Sequence, residues 1–203
     1  MEEKIAKIIS VLFHPLLIPT YAMLILINTK NHFILVLPLE NRYLALLIVF
    51  LTSFLLPSLF MFILLKIGNI KSLQMETQQE RVLPLFLTAA FFYGTYYLLK
   101  QGPHFALFNI FMLGATLLVI ISLLVNYLTK ISIHMVAFGG LLGAFTGFAI
   151  SYNQNYLLLI CLIILLAGIT GFARLKLKAH NEAQLYSGFG LGVLVMLGLF
   201  LFV

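Results

Sequence analysis

The chain contains no aspartate, and its six acidic residues are all glutamate. Charged residues make up only 9% of the 203, against 63% hydrophobic, and the mean hydropathy is +1.12. Without a carboxylate cluster there is no oxygen-ligand site for a hard cation, so neither a metal nor any other cofactor is expected. The single cysteine, Cys161, lies in an apolar run and has no partner for an internal disulfide and no metal-ligand spacing. No dense Lys/Arg run alternates with aromatics on a polar face, so the formal charge of +6 is not a nucleic-acid signature. Period-two alternation is missing too, which excludes a membrane barrel, and no polar stretch is long enough for a separate soluble domain. No cleavable signal is expected, because the first apolar run starts near Ile5 and is long enough to be a span.

What the chain does have is a series of continuous apolar runs. About 20 such residues cross ~30 Å of hydrocarbon, and helices satisfy their own backbone hydrogen bonds there. The expectation is one integral domain over 1–203, an all-α polytopic bundle of six or seven transmembrane helices in the cell membrane. The runs read as 5–28, 43–66, 83–99, 105–128, from His134 to about 151, 156–172, and from about 184 onward. Polar loops fall at 29–42 and 68–84. Pro15, Pro19 and Pro57 read as kinks, with His14 bonding a carbonyl that a kink frees, or else a functional intramembrane histidine. Asn109 and Asn126 read as bonds between helices, and His104 as an interfacial loop residue. Gly139, Gly140, Gly143 and Gly147, with Gly188 and Gly192, read as helix-packing stripes; no Lys-Ser/Thr follows that would make a phosphate loop.

Cations and histidines gather where the grease ends. Residues 171–192, GFARLKLKAHNEAQLYSGFGLG, hold Arg174, Lys176, Lys178 and His180, with Gln184 one helical turn later. Parity extends the cluster. Two runs separate Arg81 from Ser132, and two more separate His134 from Arg174, so all of them and His180 emerge on one face if every run spans. The 17-residue third run is the one most open to being re-entrant. A phosphomonoester needs fixed cations, for which the planar fork of arginine is suited, and a hydroxyl and helix N-terminal amides add donors. Two histidines can divide attack on phosphorus from protonation of the leaving oxygen.

In this order and spacing the chain resembles the type 2 phosphatidic acid phosphatase superfamily, whose motifs are K-x-x-x-x-x-x-R-P, P-S-G-H and S-R-x-x-x-x-x-H-x-x-x-D. Here they read Gln74, six residues, Arg81-Val82; then Ile131-Ser132-Ile133-His134; then Ala173-Arg174, five residues, His180, three residues, Gln184. The resemblance implies a metal-independent lipid phosphatase fold and activity on a lipid phosphomonoester or pyrophosphate. It makes His180 the nucleophile that forms a phosphohistidine, His134 the general acid, and Arg81, Arg174 and Ser132 the phosphate ligands. Gln184 stands where the family has an aspartate that orients the nucleophile. It can orient an imidazole but brings no charge. Gln74 replaces the family lysine, and Lys71, Lys130, Lys176 or Lys178 are the candidates to supply that charge.

Other readings stay open on the same residues. Arg174, Lys176 and Lys178 also serve as a topology signal at a helix end, and Asn181 with Gln184 as a capping box. Loss of the lysine and aspartate leaves a relative that binds or transports phosphorylated lipids without turnover, and a structural subunit with no site is a third alternative. The expected partners are a phosphorylated lipid and membrane lipids. By the positive-inside rule the motif face is cytoplasmic, whereas the resemblance implies the outer side.

Overall fold

The computed structural model describes residues 1–29, 32–70, 72, 75, 77–102 and 105–202. Lys71, Gln74 and His104, which the sequence singled out, lie outside the described residues. The described chain is an all-α bundle without strands. Seven segments are long and apolar enough to cross a membrane: α1 Glu2–Ile27, α2 Leu39–Lys66, α3 Gln78–Lys100, α4 Ala106–Asn126, α5 Ile133–Ser151, α6 Leu157–Lys176 and α7 Glu182–Phe202. Large apolar side chains cover the outside, among them Leu158, Phe172 and Leu194. A surface this greasy suits lipid rather than water, and the chain is a multi-pass membrane protein.

α3 decides the parity. It starts five residues before the apolar run, where Thr77 caps it by accepting the Glu80 N–H at 3.3 Å, and it passes through Pro84. With 23 residues it is long enough to span. The polar Gln78–Arg81 turn hid its start from a hydropathy reading. α2 likewise starts at Leu39, inside the expected 29–42 loop, and a short helix, His32–Leu35, precedes it.

Two of the spans are broken. α1 is α-helical over Glu2–Leu12 and again over Ile18–Ile27, with a 3₁₀ turn at Pro15–Leu17 between. His14 is extended, with φ −63° and ψ 136°, as a residue before proline prefers. Its Nδ1 accepts the Leu16 N–H at 3.3 Å, so it does not bond a carbonyl as expected. The Leu12 and Leu16 carbonyls at the break instead accept from the Tyr21 hydroxyl (2.8 Å) and the Ser53 hydroxyl (3.4 Å). In α2 a π-helical turn over Leu51–Leu55 runs directly into Pro57, which has no N–H to give. The hydroxyls of Thr52 and Thr95, 2.7 Å apart, join α2 to α3.

α5 and α7 form the most extensive helix pair. Gly139 faces the Phe189 carbonyl, Gly143 the Val193 carbonyl and Gly192 the Val136 carbonyl, and a Cβ at any of the three would overlap that backbone. This close approach fixes one register. At its end the Ser132 N–H donates to the Gln184 carbonyl at 3.3 Å. The Asn126 amide likewise donates to the Gln78 carbonyl at 2.8 Å, tying the end of α4 to the start of α3. Asn109 makes no such bond, and its buried Oδ1 has no partner.

Candidate functional site

The packing above brings the starts of α3, α5 and α7 and the end of α6 to one end of the bundle. Arg81, His134 and Arg174 lie on α3, α5 and α6, and His180 lies just before α7. Arg81 lies in the first turn of α3 and is 7% exposed. Its Nε donates to the Met75 carbonyl and one terminal nitrogen to the Ile131 carbonyl, both at 3.1 Å, so it links the approach to α3 with the approach to α5. Arg174 occupies the last turn of α6, and its buried Nε has no partner. Neither guanidinium has a carboxylate partner among the described residues. The ion pair seen there, Lys176 with Glu2 at 2.6 Å, lies on the surface.

His180 sits between α6 and α7 and is 8% exposed. Its Nδ1 is 3.0 Å from Gln184 Oε1. The same oxygen accepts the Asn181 N–H at 3.4 Å, and the Asn181 side chain accepts the Gln184 N–H at 2.9 Å. Asn181 and Gln184 therefore form a capping box that opens α7, and the box also orients the histidine. A backbone N–H can donate only to the amide oxygen. That identifies Oε1, so Nδ1 must carry the proton and Nε2 is left with a free lone pair. Burial pushes the His180 pKa down to about 4; the Gln184 bond opposes it, and the weaker fields of Arg81, Arg174 and Lys130 add to the lowering. At neutral pH the ring is uncharged.

His134, in the first turn of α5, places Nε2 3.1 Å from the Ser10 carbonyl of α1. A carbonyl accepts, so Nε2 holds the proton and Nδ1 is bare. His14 packs edge-on against it, with ring centroids 5.8 Å apart. Since the His14 Nδ1 accepts from Leu16, its proton is on Nε2. The two rings thus present opposite faces of the same chemistry, a lone pair on His134 and an N–H on His14.

His14, Arg81, His134, Arg174 and His180 all line one cavity of about 570 Å³. From this polar end the cavity runs down past Leu85 and Leu118 to Phe92, Phe111 and Met196. Its lower part is apolar, so water is a poor filling for it.

Two candidate residues do not reach the cavity. Gln184 acts behind His180, on the Nδ1 side. Ser132 is fully buried where α5 meets α7, does not line the cavity, and leaves its hydroxyl without a partner. Of the lysines considered for the missing charge, Lys130, Lys176 and Lys178 do not line the cavity either, whereas Lys7 of α1 does. Lys7 and His14 also line the cavity; the sequence left His14 open as a functional histidine without grouping it with the others, and did not single out Lys7. The available signal was parity, which already put the start of α1 on the same face as Arg81. Compared with known protein families, curated proteins and solved structures, the chain matches none.

Proposed function

We propose that this protein is a membrane phosphatase acting on phosphorylated lipids, a divergent member of the type 2 phosphatidic acid phosphatase superfamily. One observation carries the reading: two guanidinium groups, the buried Arg81 and the half-buried Arg174, line one cavity with no carboxylate among the described residues to balance them. Uncompensated buried charge is costly, and a phosphate group, with close to two negative charges and several acceptor oxygens, answers both the charge and the unpartnered Arg174 Nε. Three helix N-termini at the same end add positive potential.

The chemistry follows from the tautomers. The Nε2 lone pair of His180 attacks phosphorus, the bond from phosphorus to the lipid oxygen breaks, and a phosphohistidine forms. The departing oxygen takes a proton from the His14–His134 pair, which takes up that proton when the phosphate dianion binds beside it and returns to its neutral form on giving it up. His134 is the acid that the resemblance assigns, and His14 is the member of the pair whose Nε2 proton is not held by a carbonyl. Water then attacks phosphorus and gives a proton back to the His14–His134 pair, the N–P bond breaks, phosphate leaves and the His180 imidazole is restored. Gln184 favours a second reading. It orients His180 but cannot neutralise the imidazolium-like charge of the intermediate, which suits a protein that binds or transports phosphorylated lipids without turnover.

The test is phosphate release from a panel of lipid phosphates by purified protein, without added metal, beside His180→Ala and Arg174→Gln. Release that falls at least ~10³-fold in His180→Ala fits the enzyme. No release from any lipid by a folded wild type contradicts it and leaves the binding reading.

A further inference from the structure

From the face that α1 turns to the cavity we infer that Lys7 and Ser10 are phosphate ligands of this site. This inference rests on the phosphate reading of the polar end and adds two residues to it. Lys7 and Ser10 lie one turn apart on one face of the Glu2–Leu12 helix. Both line the cavity, as His14 does at the break that follows. Three contacts hold this part of α1 against the site. The Ser10 carbonyl accepts from His134 Nε2 at 3.1 Å, Phe13 packs edge-on against Phe138 of α5 with ring centroids 5.6 Å apart, and Glu2 pairs with Lys176 at the end of α6.

Ser10 is 7% exposed, and its buried hydroxyl has no partner. A helical serine or threonine can settle its hydroxyl on the carbonyl one turn back. Thr52, Thr88, Thr95 and Thr116 do so in this chain, at distances between 2.6 and 2.8 Å. Ser10 does not. An unpaired buried hydroxyl is costly, and a turn about one side-chain bond onto a phosphate oxygen would satisfy it. Ser122 of α4 also lines the cavity with an unpartnered hydroxyl, but Ser10 is the one tied through its own backbone to His134. Lys7 supplies charge. It is exposed and yet lines the cavity, so it stands at an opening. Its ammonium has no carboxylate partner among the described residues, and Glu2 of the same helix is engaged by Lys176. A compact, strongly hydrated cation suits a mouth where phosphate arrives, and the planar arginines suit the interior.

The test is the affinity of octylphosphonate, and of its uncharged dimethyl ester, for the protein in lipid nanodiscs, measured by calorimetry and corrected for empty discs. Lys7→Gln should weaken phosphonate binding about tenfold and Ser10→Ala about fivefold, with ester binding unchanged in both. Lys7→Arg should keep most of the affinity, and the loss in Lys7→Gln should shrink at high salt. Ser132→Ala should match wild type. Neither α1 substitution threatens the fold, because Lys7 is exposed and the His134 bond uses the Ser10 backbone. Full phosphonate affinity in Lys7→Gln or in Ser10→Ala overturns the inference, and so does an equal loss for the ester. A loss in Ser132→Ala as large as that in Ser10→Ala would mean that removing a hydroxyl loosens this end rather than deleting a ligand, and overturns it too. A wild type that binds the phosphonate no better than the ester, or a preference that survives Arg81→Gln with Arg174→Gln, overturns instead the phosphate reading beneath it.

Discussion

The α5–α7 pair and the α1–α2 pair are both made of apolar helices, and they do opposite things. Along α5 and α7, glycines let the backbones touch, and nothing fits between them. Along α1 and α2, prolines and a π-helical turn break the helices, and a chamber remains. The tight pair sets a register, and that register brings the start of α5, with His134, beside the start of α7, just after His180. The broken pair supplies the space into which these residues look. Rigidity and room are thus written by different residues, glycine in one region and proline in the other.

Adding bulk to each region is the strongest way to break the contrast. Gly139→Leu would drive a side chain into the Phe189 backbone. A loss of about 3 kcal/mol or more, or failure to fold, is expected in denaturant titration in detergent. Ala115 of α4 lines the cavity, so Ala115→Phe adds more atoms but has space for them, and should cost clearly less. Equal losses would mean that the two regions are packed alike.

The next effect concerns the polar end. Folded His180 binds a proton only near pH 4, against about 6.5 unfolded. Between those values the unfolded chain holds more protons, so stability is full above about 6.5 and falls as the pH drops through the window. The loss reaches at most about 3 kcal/mol. His180→Gln should flatten that part of the stability profile; a profile as steep as wild type would assign it to another group. Gln184→Glu is smaller still. It keeps the capping box and adds the charge that the family aspartate supplies, so phosphate release should rise about tenfold, about 1.4 kcal/mol in the barrier, with the acid limb moving upward. A fall in rate would mean that Gln184 is required as an amide. The smallest effect is expected from Lys176→Ala. Its pair with Glu2 lies in solvent, and the melting temperature should not move measurably.

The helical class and its spans were legible because the apolar runs are long, and the grouping of Arg81, His134, Arg174 and His180 was legible from parity alone. The start of α3 was not, because its first turn is polar and hydropathy averages it into the loop. Ser132 matched a motif, yet it is sealed at the α5–α7 contact. Spacing along a chain does not say which side of a helix a close glycine packing will cover. His14 was visible as an odd intramembrane residue. Its place beside His134 depends on how α1 bends at Pro15 and leans on α5 and α6, a tertiary outcome that no local pattern carries. The chamber is of the same kind, an absence of atoms produced by two separate breaks.

The most direct test of the account is to trap the phosphoenzyme. Wild-type protein is mixed with a lipid phosphate labelled at phosphorus, quenched in base, where phosphohistidine survives, and digested for mass spectrometry. Label on the peptide carrying His180, absent in His180→Ala and abolished by Arg174→Gln, is the expected result. Phosphate release from that lipid with no label on His180, or with label on another residue, would contradict the assignment of His180 as the nucleophile.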